Sequence, residues 1–274
     1  MTALPSREQP PRPTREQPPR PTRPGRSFRV MVACVGLTGV LAGCDDQSRA
    51  AEQTTLTVFA ASSLTRTFGE LEAAFEKERP GLDVIVSSDS STALAEQITQ
   101  GAPADVIATA DLASVQLVLE AQQLAKDPLR FASNTMALVT PPDNPADIRS
   151  VEDLQGTDFV VCDPSAPCGA AAADILERVG VGTEAKSLEP KVTAVLARVT
   201  LGEADAGIVY VTDAQAAGSG VTIIDIPADD NVVNPYYIAP VKDAAASQLA
   251  DEWIGLVTSR AGQDVLAKAG FGPP

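Results

Sequence analysis

From Thr54 onward the apolar and polar positions alternate between strand-like and helix-like spacing. Residues 56–61, Leu-Thr-Val-Phe-Ala-Ala, form a short apolar run of strand length. Phe68, Leu71 and Phe75 then recur at i, i+3 and i+7, which puts them on one face of a helix. Pro80-Gly81 ends that helix, and 82–86, Leu-Asp-Val-Ile-Val, predicts the next strand. A Ser/Asp/Thr cluster opens a helix carrying Leu94 and Ile98, Gly101-Ala102-Pro103 closes it, and 104–108 is a third strand. Further strands are predicted near 136–139, 159–161, 207–210, 221–226 and 236–239, and helices near 112–121, 170–179, 192–202 and 244–258. Trp253 falls in step with Leu249 and Leu256 and is expected in the core. Alternation of this kind predicts an α/β protein of mainly parallel sheets, with about five strands in each of two sheets.

The chain before Thr54 does not follow that pattern. Residues 1–29 are rich in Pro and Arg, and the octet Arg7-Glu8-Gln9-Pro10-Pro11-Arg12-Pro13-Thr14 recurs unchanged as Arg15 to Thr22. Such a composition cannot build a core and reads as a disordered leader. Its last arginines, Arg20, Arg23, Arg26 and Arg29, double as the basic region of an export signal, and 30–43 supplies the apolar region. That run is shorter than the about 20 residues a membrane span requires. It ends in Leu41-Ala42-Gly43-Cys44, which resembles a bacterial lipobox with Cys44 as the lipidated residue; the alternatives are an uncleaved anchor or an incidental cysteine. Residues 44–52 would then be a tether, and the protein an extracytoplasmic one held to the membrane by lipid.

Composition changes this picture in three ways. Histidine is absent, which removes Ser-His-Asp and Cys-His catalysis and the commonest zinc ligand. No direct cation ligation is expected. The net charge of −15 is unevenly spread, because 1–43 carries +5 and the rest carries −20. A body this acidic is a poor nucleic-acid binder. Of the four cysteines, Cys34 lies in the signal and Cys44 at its end, leaving Cys162 and Cys168. In an exported protein these two read as a disulfide closing a short loop; free thiols are the alternative, and the spacing is not the C-x-x-C of a redox pair.

In open α/β sheets ligands bind beyond the carboxyl ends of strands, where helix starts present free N–H groups. Four junctions here are small or hydroxylic: Ser62-Ser63-Leu64-Thr65, Ser90-Ser91-Thr92, Pro167-Cys168-Gly169 and Lys191-Val192-Thr193. Taken singly, each is explained by N-capping. Taken in order they resemble the periplasmic molybdate-binding proteins. The stretch 58–65, Val-Phe-Ala-Ala-Ser-Ser-Leu-Thr, is similar to that family's first strand and turn. Further similar stretches are 90–98, 101–106 (Gly-Ala-Pro-Ala-Asp-Val), 192–210 and 269–272, so the resemblance spans about 56–271.

That resemblance implies a type II periplasmic-binding-protein fold, with a ligand cleft between two lobes joined by two crossovers. Lobe I would comprise 53–134 plus 239–274, and lobe II 135–238. It implies that an oxyanion is held by neutral donors: the hydroxyls and N–H groups of Ser63 and Ser91, the N–H groups of Cys168 and Val192, and the hydroxyl of Tyr210. It further implies a monomeric, non-enzymatic protein without cofactor that passes molybdate, and also tungstate, to the permease of an ABC importer. A dianion with four acceptor oxygens and no proton needs donors only, and helix starts supply them at roughly 0.3–1 kcal/mol each. A sulfate-, thiosulfate- or tungstate-specific binder on the same scaffold is the nearest alternative, and sulfate has the same charge and shape as molybdate at smaller size. A carboxylate-based hydrolase would need two acids facing one cleft, and these junctions offer none. Asp89, two residues before Ser91, would repel a dianion and is expected to face solvent.

Overall fold

The computed structural model describes residues 54–274. The Pro/Arg leader, the signal segment, Cys34, Cys44 and the tether therefore lie outside the described residues. The strands are β1 (Thr54–Ala61), β2 (Leu82–Asp89), β3 (Val106–Thr109), β4 (Leu129–Thr140), β5 (Phe159–Cys162), β6 (Ser187–Glu189), β7 (Ala206–Tyr210), β8 (Thr222–Asp225) and β9 (Val233–Pro240). The helices are α1 (Thr65–Lys77), α2 (Ser91–Thr99), α3 (Leu112–Glu120), α4 (Pro167–Val179), α5 (Val192–Thr200), α6 (Val211–Ala217), α7 (Ser247–Thr258) and α8 (Arg260–Lys268).

The strands connect in the order β2-β1-β3-β9-β4-β7-β5-β6, with β8 against β4. The outer strands pair in parallel, β1 with β2 and β3, and β5 with β6 and β7. The sequence expectation of mainly parallel sheets is corrected at the centre. There β9 pairs antiparallel with β3 and β4, and β4 pairs antiparallel with β7 and β8. The cause is the length of β4: its first part, to Thr135, pairs with β9, and from Met136 it pairs with β7 and β8. One strand thus belongs to both halves of the sheet, and β9 returns beside it.

Packing follows the apolar pattern. Phe68, Leu71 and Phe75 of α1 are buried, and Phe68 and Phe75 meet the ring of Trp253 edge-on, each at 5.5 Å between centroids. Trp253 is fully buried, so the expected core role holds. Each such side chain contributes about 1.5–3 kcal/mol by leaving water. In the second half, Gly207 of β7 lets α5 lie close, because a Cβ there would come within 2.8 Å of Val195. Among the described residues no helix is long and apolar enough to cross a membrane.

Candidate functional site

Five chain segments converge on one small cavity, and each arrives at a helix start. Ser63 sits in the 3₁₀ turn Ser62–Leu64 that joins β1 to α1. Ser91 is the first residue of α2, Cys168 the second of α4 and Val192 the first of α5. Tyr210 ends β7 and immediately precedes α6. All five line the same cavity, and all five are buried. It is narrow, with room for about one water-sized sphere.

Local structure aims donors at this space. Ser91, Cys168 and Val192 occupy first-turn positions, where a backbone N–H has no acceptor within its own helix. The turn at Pro167-Cys168-Gly169 is tightly folded: a Cβ on residue 169 would fall 1.9 Å from the carbonyl oxygen of Asp163. A Cys162–Cys168 disulfide, with Cα atoms 5.7 Å apart, ties the end of β5 to the first turn of α4.

The hydroxyls are held from behind. Ser91 Oγ accepts the N–H of Ala110 at 2.9 Å. Ser63 Oγ lies 2.7 Å from Tyr236 Oη, and Tyr236 Oη accepts from Asn134 Nδ2 at 3.4 Å. The same amide nitrogen donates to Thr212 Oγ1 at 2.8 Å. The Tyr210 hydroxyl is buried and has no hydrogen-bond partner among the described residues. Tyr236 is close enough to favour the protonated Tyr210 phenol, but the two hydroxyls do not meet with good geometry. Burial pushes both phenols up from their ordinary range, so each is a neutral donor at physiological pH.

Tyr236, Asn134 and Thr212 form a layer behind the serines that sequence reasoning does not single out. The signal that could have found it is Asn134, a polar residue in a strand-like stretch that must find partners once buried. Sequence reasoning also misses Asp213. It is buried on α6 with Oδ2 unpartnered, and burial raises its carboxyl from 3.8 to about 7.

Two charged groups, Asp89 and Lys191, also line the narrow cavity. The carboxylate of Asp89 lies 3.3 Å from the ammonium of Lys191, the residue that caps α5, and also accepts the Ser90 N–H at 2.9 Å. The expectation that Asp89 faces solvent is met only in part: its side chain is 39% exposed, and the ion pair offsets its charge. Lys191 Nζ also donates to the Ser88 carbonyl at 3.4 Å, and Thr92 Oγ1 donates to the Ser165 carbonyl at 2.7 Å. These contacts join β2 and α2 to the loops that begin α4 and α5.

A larger cavity of about 460 Å³ lies on the other side of the Ser62-Ser63 turn. Of the five helix-start residues it includes only Ser63, and it mixes Arg66 and Lys268 with Glu70. The narrow cavity is the better-defined site, because only there do all five groups converge. Among the described residues, no three His, Cys, Asp or Glu side chains are grouped to hold a metal ion.

A two-halved α/β sheet with a small donor-lined cavity at its helix starts is the architecture of a solute-binding protein. The chain belongs to the family of bacterial extracellular solute-binding proteins, whose pattern it matches over residues 56–272. It is 42% identical over 221 residues to the molybdate-binding protein ModA of Mycobacterium tuberculosis, covering 80% of this chain and 85% of that one. Among solved structures it is similar to the periplasmic molybdate-binding protein of Azotobacter vinelandii, with TM-score 0.70 and 21% identity. That match covers 80% of this chain and 99% of the other. It is also similar to the sulfate-binding protein SubI of M. tuberculosis, with TM-score 0.72 and 19% identity, covering 80% and 87%. At these identities both structural matches show the fold alone.

Proposed function

We propose that this chain binds molybdate, and tungstate with it, outside the cytoplasm and delivers it to the permease of an ABC importer. The observation that carries this reading is the convergence of Ser63, Ser91, Cys168, Val192 and Tyr210 on one narrow cavity. These groups offer hydroxyl and N–H donors and no carboxylate of their own. Hydrogen bonds to a charged guest contribute roughly 1.5–3 kcal/mol each, so several reach the about −8 kcal/mol of a micromolar site. The 42% identity to a molybdate-binding protein supports the choice of guest. The sulfate-binding structure shares the fold alone, so cavity size must separate the two anions.

Lobe I at 53–134 plus 239–274 and lobe II at 135–238 are proposed as the bodies that close on the anion; the change of β4 partners at Thr135/Met136 supports that division. Cys44 is the proposed lipid attachment point, and the protein is proposed to act as a monomer without cofactor or catalysis. Calorimetric titration of the purified chain with molybdate, tungstate and sulfate tests the central claim. Molybdate and tungstate are expected to bind with Kd at or below about 1 μM, and sulfate at least about 100-fold more weakly. Equal affinity for sulfate would refute the assignment.

A further inference from the structure

Resting on the oxyanion-binding reading, the layer behind the cavity has a chemistry of its own. Tyr236 lies on β9, fully buried, and its ring is caged by Phe131, Tyr210 and Phe271 at centroid distances of 6.2, 6.0 and 5.3 Å. The direction of its hydrogen bonds can be worked out from Asn134. The carbonyl end of that amide accepts the Thr135 N–H at 3.0 Å. Its nitrogen end therefore faces Tyr236 and Thr212, and it donates to both. A phenol oxygen that accepts from an amide still has one proton to give. Ser63 Oγ, at 2.7 Å, is in place to take it. Once Ser63 Oγ accepts from behind, its own proton is free to point into the cavity. Ser91 is set the same way by the Ala110 N–H.

We propose that Tyr236 is a positioning residue that fixes Ser63 as a hydrogen-bond donor, and that this makes the site select fully deprotonated tetrahedral dianions over those that keep a proton. A guest such as hydrogen phosphate presents one O–H and needs an acceptor facing it. A serine hydroxyl free to rotate can turn a lone pair toward that O–H. One with a lone pair engaged by Tyr236 has a single lone pair left, so fewer of its orientations place an acceptor opposite that O–H and more of them place its own proton there. Discrimination of this kind comes from an unfavourable pairing with the wrong guest as much as from a favourable one with the right guest.

The test is calorimetric titration of the full chain with molybdate and with phosphate at pH 8, where the phosphate dianion still carries a proton. Tyr236→Phe keeps the ring and removes only the hydroxyl, and Asn134 keeps its bond to Thr212. The expected result is a molybdate Kd raised about tenfold with phosphate not weakened in step, so that the molybdate-to-phosphate ratio narrows about tenfold. In a Ser63→Ala background, Tyr236→Phe is expected to move either Kd by less than about twofold, because the two residues act as one unit. An unchanged ratio in Tyr236→Phe, or an equal loss with Ser63 already absent, overturns the proposal. Should Tyr236→Phe fail to fold, Asn134→Ala removes the amide that sets the direction and must itself narrow the ratio; an unmoved ratio there overturns the role equally. A wild-type chain that binds no tetrahedral oxyanion would remove the reading of the site along with this role, whereas binding with an unmoved ratio removes the role alone.

Discussion

Replacing Asp213 by Asn tests how the buried layer around the site is charged. The carboxyl of Asp213 is buried on α6 with one oxygen unpartnered, and burial lifts it from 3.8 to about 7. An unfolded chain ionises this group near pH 3.9. Between about pH 4 and pH 7 the folded state therefore holds a proton that the unfolded state has lost. Stability falls as pH rises across that window, because the folded state binds more protons. The slope for one proton is about 1.4 kcal/mol per pH unit, so from pH 5 to pH 8 this residue alone should remove about 3 kcal/mol. Above the folded value both states are ionised and the loss levels off. An asparagine at this position cannot ionise and should abolish that component, while the other carboxylates contribute equally to both proteins. The assay is urea unfolding of wild type and Asp213→Asn at pH 5, 6, 7 and 8, without added oxyanion because a bound ligand adds its own stabilisation. The fluorescence of Trp253, the chain's single tryptophan and fully buried, reports the transition. The difference in stability should shift by about 3 kcal/mol in favour of the variant between pH 5 and pH 8. Parallel pH profiles would refute the reasoning.

Other changes bear on the walls of the site. Converting both Cys162 and Cys168 to Ser opens a loop with a separation of six residues; it should cost about 2 kcal/mol in denaturant titrations and weaken anion binding by loosening the Cys168 N–H. Gly169→Ala should lower the melting temperature sharply, with a loss of about 3 kcal/mol or more, because its Cβ would be 1.9 Å from the Asp163 carbonyl oxygen. Asp89→Asn should change molybdate affinity by less than about tenfold in calorimetry, since the ion pair with Lys191 is partly exposed and such pairs are worth about 0–1 kcal/mol.

Much of the fold is legible in the spacing of apolar residues, and the exceptions have physical causes. Most predicted strands and helices lie where the structure places them, and the Phe68, Leu71, Phe75 face is buried as its period requires. The first part of β4 is hidden because Ser133 and Asn134 interrupt the apolar run. Both are buried and hydrogen-bonded, so polarity there reflects a satisfied network rather than exposure. Helix α8 escapes the apolar pattern because it is short and polar; its start is marked by Ser259, whose Oγ accepts the Gly262 N–H at 3.2 Å. Strand β6, with only three residues, is too short for periodicity to register. At the candidate site, the five proposed groups can be named because helix-start residues carry a local signature and a family resemblance. Tyr236 cannot, because nothing in the spacing around a strand tyrosine says which hydroxyl it will meet 173 positions away.

The placement of β9 between β3 and β4 sets a difference between the order of synthesis and the order of assembly. The half of the sheet built from β5, β6, β7 and β8 draws on one continuous stretch of chain and can close as soon as that stretch has emerged. The half built from β1, β2 and β3 has an open edge until residues beyond Val233 arrive to fill it, and the still later Gly272 has to exchange backbone hydrogen bonds with Ser133. The half that comes first among the described residues is therefore completed last, and until then its bare strand edge is free to pair with another chain.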